Sequence, residues 1–409
     1  MKTIFVLVDA CKSSYVTEEY MPFLHNLTKE GKYIDKIYPS PGFCERSEIF
    51  SGLDCFETGN FSAIGWLPEY SDYKNMKFTL GLYEFLSKIN DRGARAVFRR
   101  TKPGKSIPLK TYRIPFESLK YFSLTEDGRR KIIEHEDIFD ILKIEGKSYS
   151  DRCFTSLAFH KNVSEQKLAE AIFEEIKKNT YFIPAYIGSI DYRGHDFGDD
   201  MELMQPHLLK VDQILSEIYS LAMRNGYVMT VLGDHGMVPV KEKVDIAGSI
   251  KNLGYILHKD YEMFLDSTYA RFWSGNQDII KKIKQFVSEK YNEKGIVINE
   301  YTCFDRGIPI DLCADDGHGI YGDILWCANP GVIISPDFFN DPNKTIRGMH
   351  GYFATDKEHG AGMFVAAGAG ILNRMQNSAQ LKDICGELCK LLEIRFPNYP
   401  GWSREVKRI

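Results

Sequence analysis

The chain has no apolar stretch long enough to span a membrane, although 44% of its 409 residues are apolar. It has no basic region, apolar run and small-residue cleavage site of the kind that marks a secretory leader; it opens directly as a strand. No run of basic residues resembles a nucleic-acid groove, and with a formal net charge of −4 a polynucleotide gains no overall attraction. Internal repeats and low-complexity segments are also missing. The nine cysteines are odd in number and scattered, and without secretory features they read as reduced thiols of a cytoplasmic protein. Cys385 and Cys389, one helical turn apart, read as core packing.

What is present is an ordinary globular composition, with 26% charged residues, in a length that suits one large α/β domain with insertions. Residues 3–9 form an apolar, β-branched run ending in Asp9, as expected of a strand buried on both faces. A short helix is expected over 21–27, stopped at Gly31. A second turn and helix begin near Pro39-Ser40-Pro41-Gly42 and run through Glu48-Ile49-Phe50. The spacing predicts a helix over 164–179 with Ser164 as N-cap, then a strand over 182–190 ending in Asp191. Pro206 opens the next helix and Asn225-Gly226 closes it. The strand 228–232 ends in Gly233-Asp234-His235. Late strands are expected at 331–334 and 363–366, with a closing helix over 379–392.

Two stretches break this rhythm. Residues 70–160, rich in Lys, Arg, Tyr and Phe, read as an insertion or cap over the active face. Residues 266–328 form a second irregular block that contains an amphipathic helix over 277–291. The remainder alternates strand and helix, which implies a mostly parallel central sheet with helices on both faces. Ligands bind beyond the carboxyl ends of the strands in such folds. Asp9, Asp191 and Asp234 are all expected at that end, so distant residues can be treated as one site.

Six metal-type side chains lie in four short segments: Asp9; Asp191 and His195; Asp234 and His235 in Gly-Asp-His-Gly; and His350 in His-Gly-Tyr. In this order the chain resembles the alkaline phosphatase superfamily, in particular its type I phosphodiesterase/nucleotide pyrophosphatase branch. The likeness covers roughly residues 1–65, 180–240 and 345–372. It implies an alkaline phosphatase-like fold and a hydrolase of phosphodiester or pyrophosphate bonds in a nucleotide-like or small phosphorylated substrate. It also implies two divalent metal ions, commonly zinc and in some members manganese. Asp191, His195 and His350 would hold one ion; Asp9, Asp234 and His235 would hold the other. Two such ions clamp the attacking and leaving oxygens of a phosphoryl displacement.

The chain departs from the family at the nucleophile. Members carry Thr or Ser nine residues before a small residue followed by Gly; counted from Ser51-Gly52, that position is Gly42. Three replacements stay open: Cys44, Ser40, or a water activated at the metal pair. Arg46 is a candidate brace for a phosphoryl oxygen. Ala63 stands where the phosphodiesterases carry an Asn. His359, also followed by Gly, rivals His350, while His318 reads as part of a solvated loop. Phe43 and Trp66 are candidates to stack on a base or sugar. Rival functions are a phosphomonoesterase, a phosphonate or sulfate-ester hydrolase, or a phosphotransferase on the same fold. Without the usual nucleophile, a catalytically silent metal-binding protein is a further reading.

Overall fold

The computed structural model describes residues 1–101, 113–125, 131–150, 152–153, 165–299, 308–341, 343–353, 356 and 358–397. A six-stranded sheet organises them, in the order Arg374–Gln380, Lys32–Tyr38, Gly362–Ala367, Val228–Gly233, Thr3–Val8, Phe182–Ile187. Thr3–Val8 runs parallel to both of its neighbours, and Lys32–Tyr38 runs parallel to Arg374–Gln380. Gly362–Ala367 alone is reversed against its neighbours. The mostly parallel sheet agrees with the alternation in the sequence.

Thr3–Val8 is buried along its whole length, and its alternating side chains supply two cores. Ile4, Val6 and Val8 pack with apolar residues of the helices Pro22–Glu30, Glu165–Lys177 and Met201–Arg224. Phe5 and Leu7 pack with those of Glu45–Ser51, Ile138–Ile144 and Asp383–Leu392. Burial on both faces is why this strand reads as an unbroken apolar run.

The structure corrects several boundaries. The strand after residue 181 ends at Ile187, and Asp191 falls inside the following helix, Ser189–Phe197. Pro206 lies inside the helix Met201–Arg224, because the Asp200 carboxylate caps its start by accepting the Leu203 N–H. The helix expected from the turn at 39–42 begins only at Glu45. Val332–Ile334 pairs with Glu242–Val244, outside the central sheet. Ala379 belongs to the exposed edge strand Arg374–Gln380, whose polar sequence lacks strand alternation, and the closing helix starts at Asp383. The N-cap expected at Ser164 lies outside the described residues.

The two irregular blocks share one core. The first contributes the helix Lys77–Thr101, through Leu80, Ala94 and Phe98, and also Phe116 and Phe122. The second contributes an antiparallel sheet in the order Gly295–Val297, Ile324–Ala328, Tyr269–Trp273, Glu262–Leu265, with the helix Gln277–Lys290. Trp66 stacks between them, 4.4 Å from Tyr121 and 5.2 Å from Trp273 between ring centroids.

Candidate functional site

Three adjacent parallel strands bring the first five candidate residues together. The strands are in register, with Leu7 opposite Leu232 and Val8 opposite Ile187, so the segments that follow emerge side by side. Asp9 follows the first strand, and Asp234 and His235 follow the second. Asp191 and His195 follow the third, four residues apart on one helix face. His350 arrives from far along the chain. The two-residue strand Gly348–Met349 pairs with Val238–Pro239, and the Arg347 N–H donates to the His195 carbonyl at 2.9 Å.

The ligand-type atoms of Asp9, Asp234 and His235 lie within 4.8 Å of one another, and so do those of Asp191, His195 and His350. His235 Nε2 is 3.0 Å from Asp9 Oδ1; Asp191 Oδ1 is 3.2 Å from His195 Nε2 and 3.5 Å from His350 Nε2. The two trios touch through His235 and His350, whose rings stack at 3.8 Å. Glu45 joins there: with His235 and His350 it makes a third such group.

Hydrogen bonds outside the cluster aim these side chains. His195 Nδ1 lies 2.9 Å from the Gly348 carbonyl and His235 Nδ1 lies 2.8 Å from the Gly236 carbonyl, so both rings present Nε2 inward. Tyr186 donates its hydroxyl proton to Asp9 Oδ2, which leaves Oδ1 facing His235. Asp191 Oδ1 and His350 Nδ1 are buried without a hydrogen-bond partner. Mixed carboxylate and imidazole donors with orphaned buried atoms have the chemistry of a divalent-cation site.

The electrostatics match that description. Burial, reinforced by Asp9 and opposed by His235, pushes the Asp234 carboxyl up to about 7. Burial opposed by His235 pushes Glu45 up to about 8. Burial also works against ionised Asp191, but the imidazoles of His195, His350 and His235 outweigh it and hold that carboxyl below its usual range. Burial and the neighbouring His235 hold His350 neutral, well below the ordinary imidazole range. Carboxylates crowded in this way repel one another unless protons or cations intervene.

The residues near Gly42 are placed differently from expectation. Gly42 has φ +99°, and a Cβ there would collide with the Phe61 carbonyl oxygen and come within 2.8 Å of the Phe61 ring. Cys44 is the buried N-cap residue of the helix, its free thiol hydrogen-bonded to that of Cys55; that hydrogen bond and burial push it well above the ordinary thiol range. It joins none of the three groups. Arg46, the candidate phosphoryl brace, is the second residue of the helix and does not line the pocket over the cluster. Ser40 does line that pocket, with Glu45, His235 and His350, and its hydroxyl donates to Glu48 at 2.6 Å.

His359 pairs instead with Asp199 and Asp356, at 3.4 and 3.2 Å. His318 is not simply solvated: it lies 2.8 Å from Asp323 and packs against Trp66. Trp66 is 4% exposed and stacked on core rings, so it offers no face to a base. Phe43 packs edge-on against His350, with ring centroids 5.4 Å apart. Glu45 is the residue that sequence reasoning passed over. Its signal was an acid in the first turn of the helix behind the nucleophile position, between the two residues singled out, Cys44 and Arg46.

The fold is similar to that of human ectonucleotide pyrophosphatase/phosphodiesterase 5, at 15% identity and a TM-score of 0.67, covering 97% of this chain and 96% of that one. The murine protein of the same name gives 17% identity, the same TM-score and the same coverage, both on its own and as an inactive variant in complex with AMP. At such identities the likeness shows the fold alone. No curated protein matches the chain by sequence. The sequence profile for type I phosphodiesterase/nucleotide pyrophosphatase matches residues 3–353, a span that contains all six metal-type residues and Glu45. The chain therefore belongs to the type I phosphodiesterase/nucleotide pyrophosphatase family, metal-dependent hydrolases acting on phosphate-ester bonds.

Proposed function

We propose that the chain hydrolyses phosphodiester or pyrophosphate bonds of a nucleotide-like substrate through two divalent cations. Asp9, Asp234 and His235 would hold one cation, and Asp191, His195 and His350 the other. The observation that carries this reading is the pair of ligand trios joined through stacked His235 and His350, with Glu45 reaching both. The mixed oxygen and nitrogen donors favour zinc, with manganese as the alternative. Bound there, the cations would supply Lewis acidity that neutralises the non-bridging oxygens and stabilises the departing one.

Water is the attacking group in this reading, since residue 42 offers no side chain and Cys44 faces Cys55. Bound cations beside Glu45 would favour its carboxylate form; as the water oxygen bonds to phosphorus, its proton passes to that carboxylate and the ester oxygen leaves with the electrons of the broken P–O bond. Tyr186 holds Asp9, and the Gly348 and Gly236 carbonyls hold His195 and His235, so the constellation is oriented before substrate arrives. A second reading makes Ser40 a covalent nucleophile with Glu48 as its base; their 2.6 Å bond at the pocket wall favours it. Stereochemistry at a chiral phosphorothioate separates the two: inversion for water, retention for a Ser40 intermediate.

Substrate choice is assigned to the blocks at 70–160 and 266–328, which would cap the central domain. AMP in the murine relative supports a nucleotide-like substrate. Eight free thiols among the described residues support a reducing, cytoplasmic setting. No helix of the described residues is long and apolar enough to cross a membrane.

The test is hydrolysis of a nitrophenyl phosphodiester and of the monoester, with the protein loaded with Zn²⁺ or Mn²⁺. The expected result is preferential diester cleavage that a chelator abolishes. Faster monoester cleavage would make it a phosphomonoesterase, and full metal loading with no cleavage of any ester would make it a binding protein.

A further inference from the structure

The helix Lys77–Thr101 turns an apolar stripe away from the protein. Phe78 is 94% exposed, Leu82 56%, Phe85 61% and Ile89 73%. Their spacing of four, three and four residues puts them on one helix face. Leu80 on the opposite side is fully buried in the core. No other described element exposes more than two large apolar side chains, so the stripe is not ordinary scatter. It ends at Asn90, where the backbone leaves helical geometry.

Basic residues outnumber acids along this helix. Lys77 and Lys88 border the stripe and Arg92 and Arg100 follow the break at Asn90; all four are exposed and make no ion pair with a described residue. The helix has two acids, and both are engaged: Glu84 accepts the Phe116 N–H at 2.6 Å, and Asp91 is 2.8 Å from Arg95. Over Lys77–Thr101 six basic residues outnumber two acids, in a chain of net charge −4, so the exposed apolar stripe sits on a basic helix.

We propose that this helix seats the protein on an anionic lipid surface, with Phe78, Leu82, Phe85 and Ile89 in the acyl boundary and the basic side chains at the headgroups. An apolar face bordered by Lys and Arg is the pattern of a helix lying in the interface plane. A second copy of the chain fits less well. The stripe covers fewer than two heptads before the break at Asn90, short of the three or four that mark a coiled-coil seam. Two such faces would also bring like charges together.

The test is co-sedimentation of the full chain with vesicles of phosphatidylglycerol and phosphatidylcholine, against vesicles of phosphatidylcholine alone. Binding is expected to the anionic vesicles only, and to weaken with salt. Phe78→Ser with Ile89→Ser is expected to lower the partition by at least about tenfold. Lys77→Gln and Lys88→Gln are expected to lower it roughly fivefold per charge. All these positions are exposed, so melting temperature and turnover of the soluble nitrophenyl diester should not change. No binding, or equal binding by wild type and variants, overturns the proposal. Light scattering that shows a dimer lost in the Phe78/Ile89 variant, without vesicle binding, would give the face to a second copy.

Discussion

Gly42, at the position where the resemblance implies a nucleophile, offers a direct test of whether a side chain fits there. Its φ of +99° lies where a residue with a Cβ is strained, at a cost of about 1–3 kcal/mol. The Cβ would also meet the Phe61 carbonyl oxygen, which already accepts the Phe43 N–H at 2.9 Å. Relieving that overlap displaces the bond, at a further cost of about 1 kcal/mol. Gly42→Ala should therefore destabilise the protein by roughly 2–4 kcal/mol. At about 2 °C per kcal/mol for a large chain, the melting temperature should fall by roughly 4–8 °C. Gly42→Thr should fall at least as far and gain no covalent step, because its side chain would be directed at Phe61. The assay is calorimetry with bound metal, paired with stopped-flow release of nitrophenol. A Thr variant within about 0.5 kcal/mol of wild type, or one showing a new pre-steady-state burst, would refute the reasoning.

Asp234→Asn should abolish turnover and lower bound metal, measured by elemental analysis of the dialysed protein; full activity in that variant would remove the proposed centre. Glu45→Gln should lower kcat by roughly a hundredfold or more with the fold intact, as loss of a positioned base does; an unchanged kcat would pass the role to another group. Cys44→Ala should keep activity within about threefold and cost roughly 1 kcal/mol of stability; a hundredfold loss would reinstate the thiol. The chelated protein should lose stability as pH rises from about 5 to 8, at on the order of 1 kcal/mol per pH unit. The sign follows from Asp234 and Glu48, which burial pushes up to about 7, and Glu45, pushed up to about 8: the folded chain holds protons that the unfolded chain releases, so their stabilisation is complete at low pH and lost through about pH 7 to 8. His350, pushed down, opposes this slope. Divalent metal should flatten the slope, and urea midpoints that rise with pH in the chelated protein would contradict the assignment.

Much of the candidate site was legible because its residues cluster where strands end. An apolar run closed by Asp9, and another closed by Gly233-Asp234-His235, name both the strand and its functional end. Asp191 and His195 were legible by a different rule than the one first applied. Their spacing of four residues works because they lie on a helix, whereas a strand continued to Asp191 would have separated them. His350 and His359 are each followed by glycine; the Tyr352 that follows favours His350 in the sequence, and the structure sets them apart: Gly348 is tied to His195, while Asp199 and Asp356 draw His359 aside. The two irregular blocks could not be read because their shared core joins apolar residues some two hundred positions apart.

Glu45 was hidden for a related reason. A helix turns by about 100° per residue, so placing its start a few residues early points every later side chain in the wrong direction. The start is set by Gly42, whose positive φ cannot continue a helix and whose close approach to Phe61 involves a residue nineteen positions away. The same bend delays the helix to Glu45, which puts that carboxylate in the first turn, facing His235 and His350. Loss of a side chain at position 42 and arrival of a carboxylate from position 45 are thus one local event. Changing Gly42 to Thr alone should not recover the family's covalent route, since the backbone that would have to straighten is the one that aims Glu45.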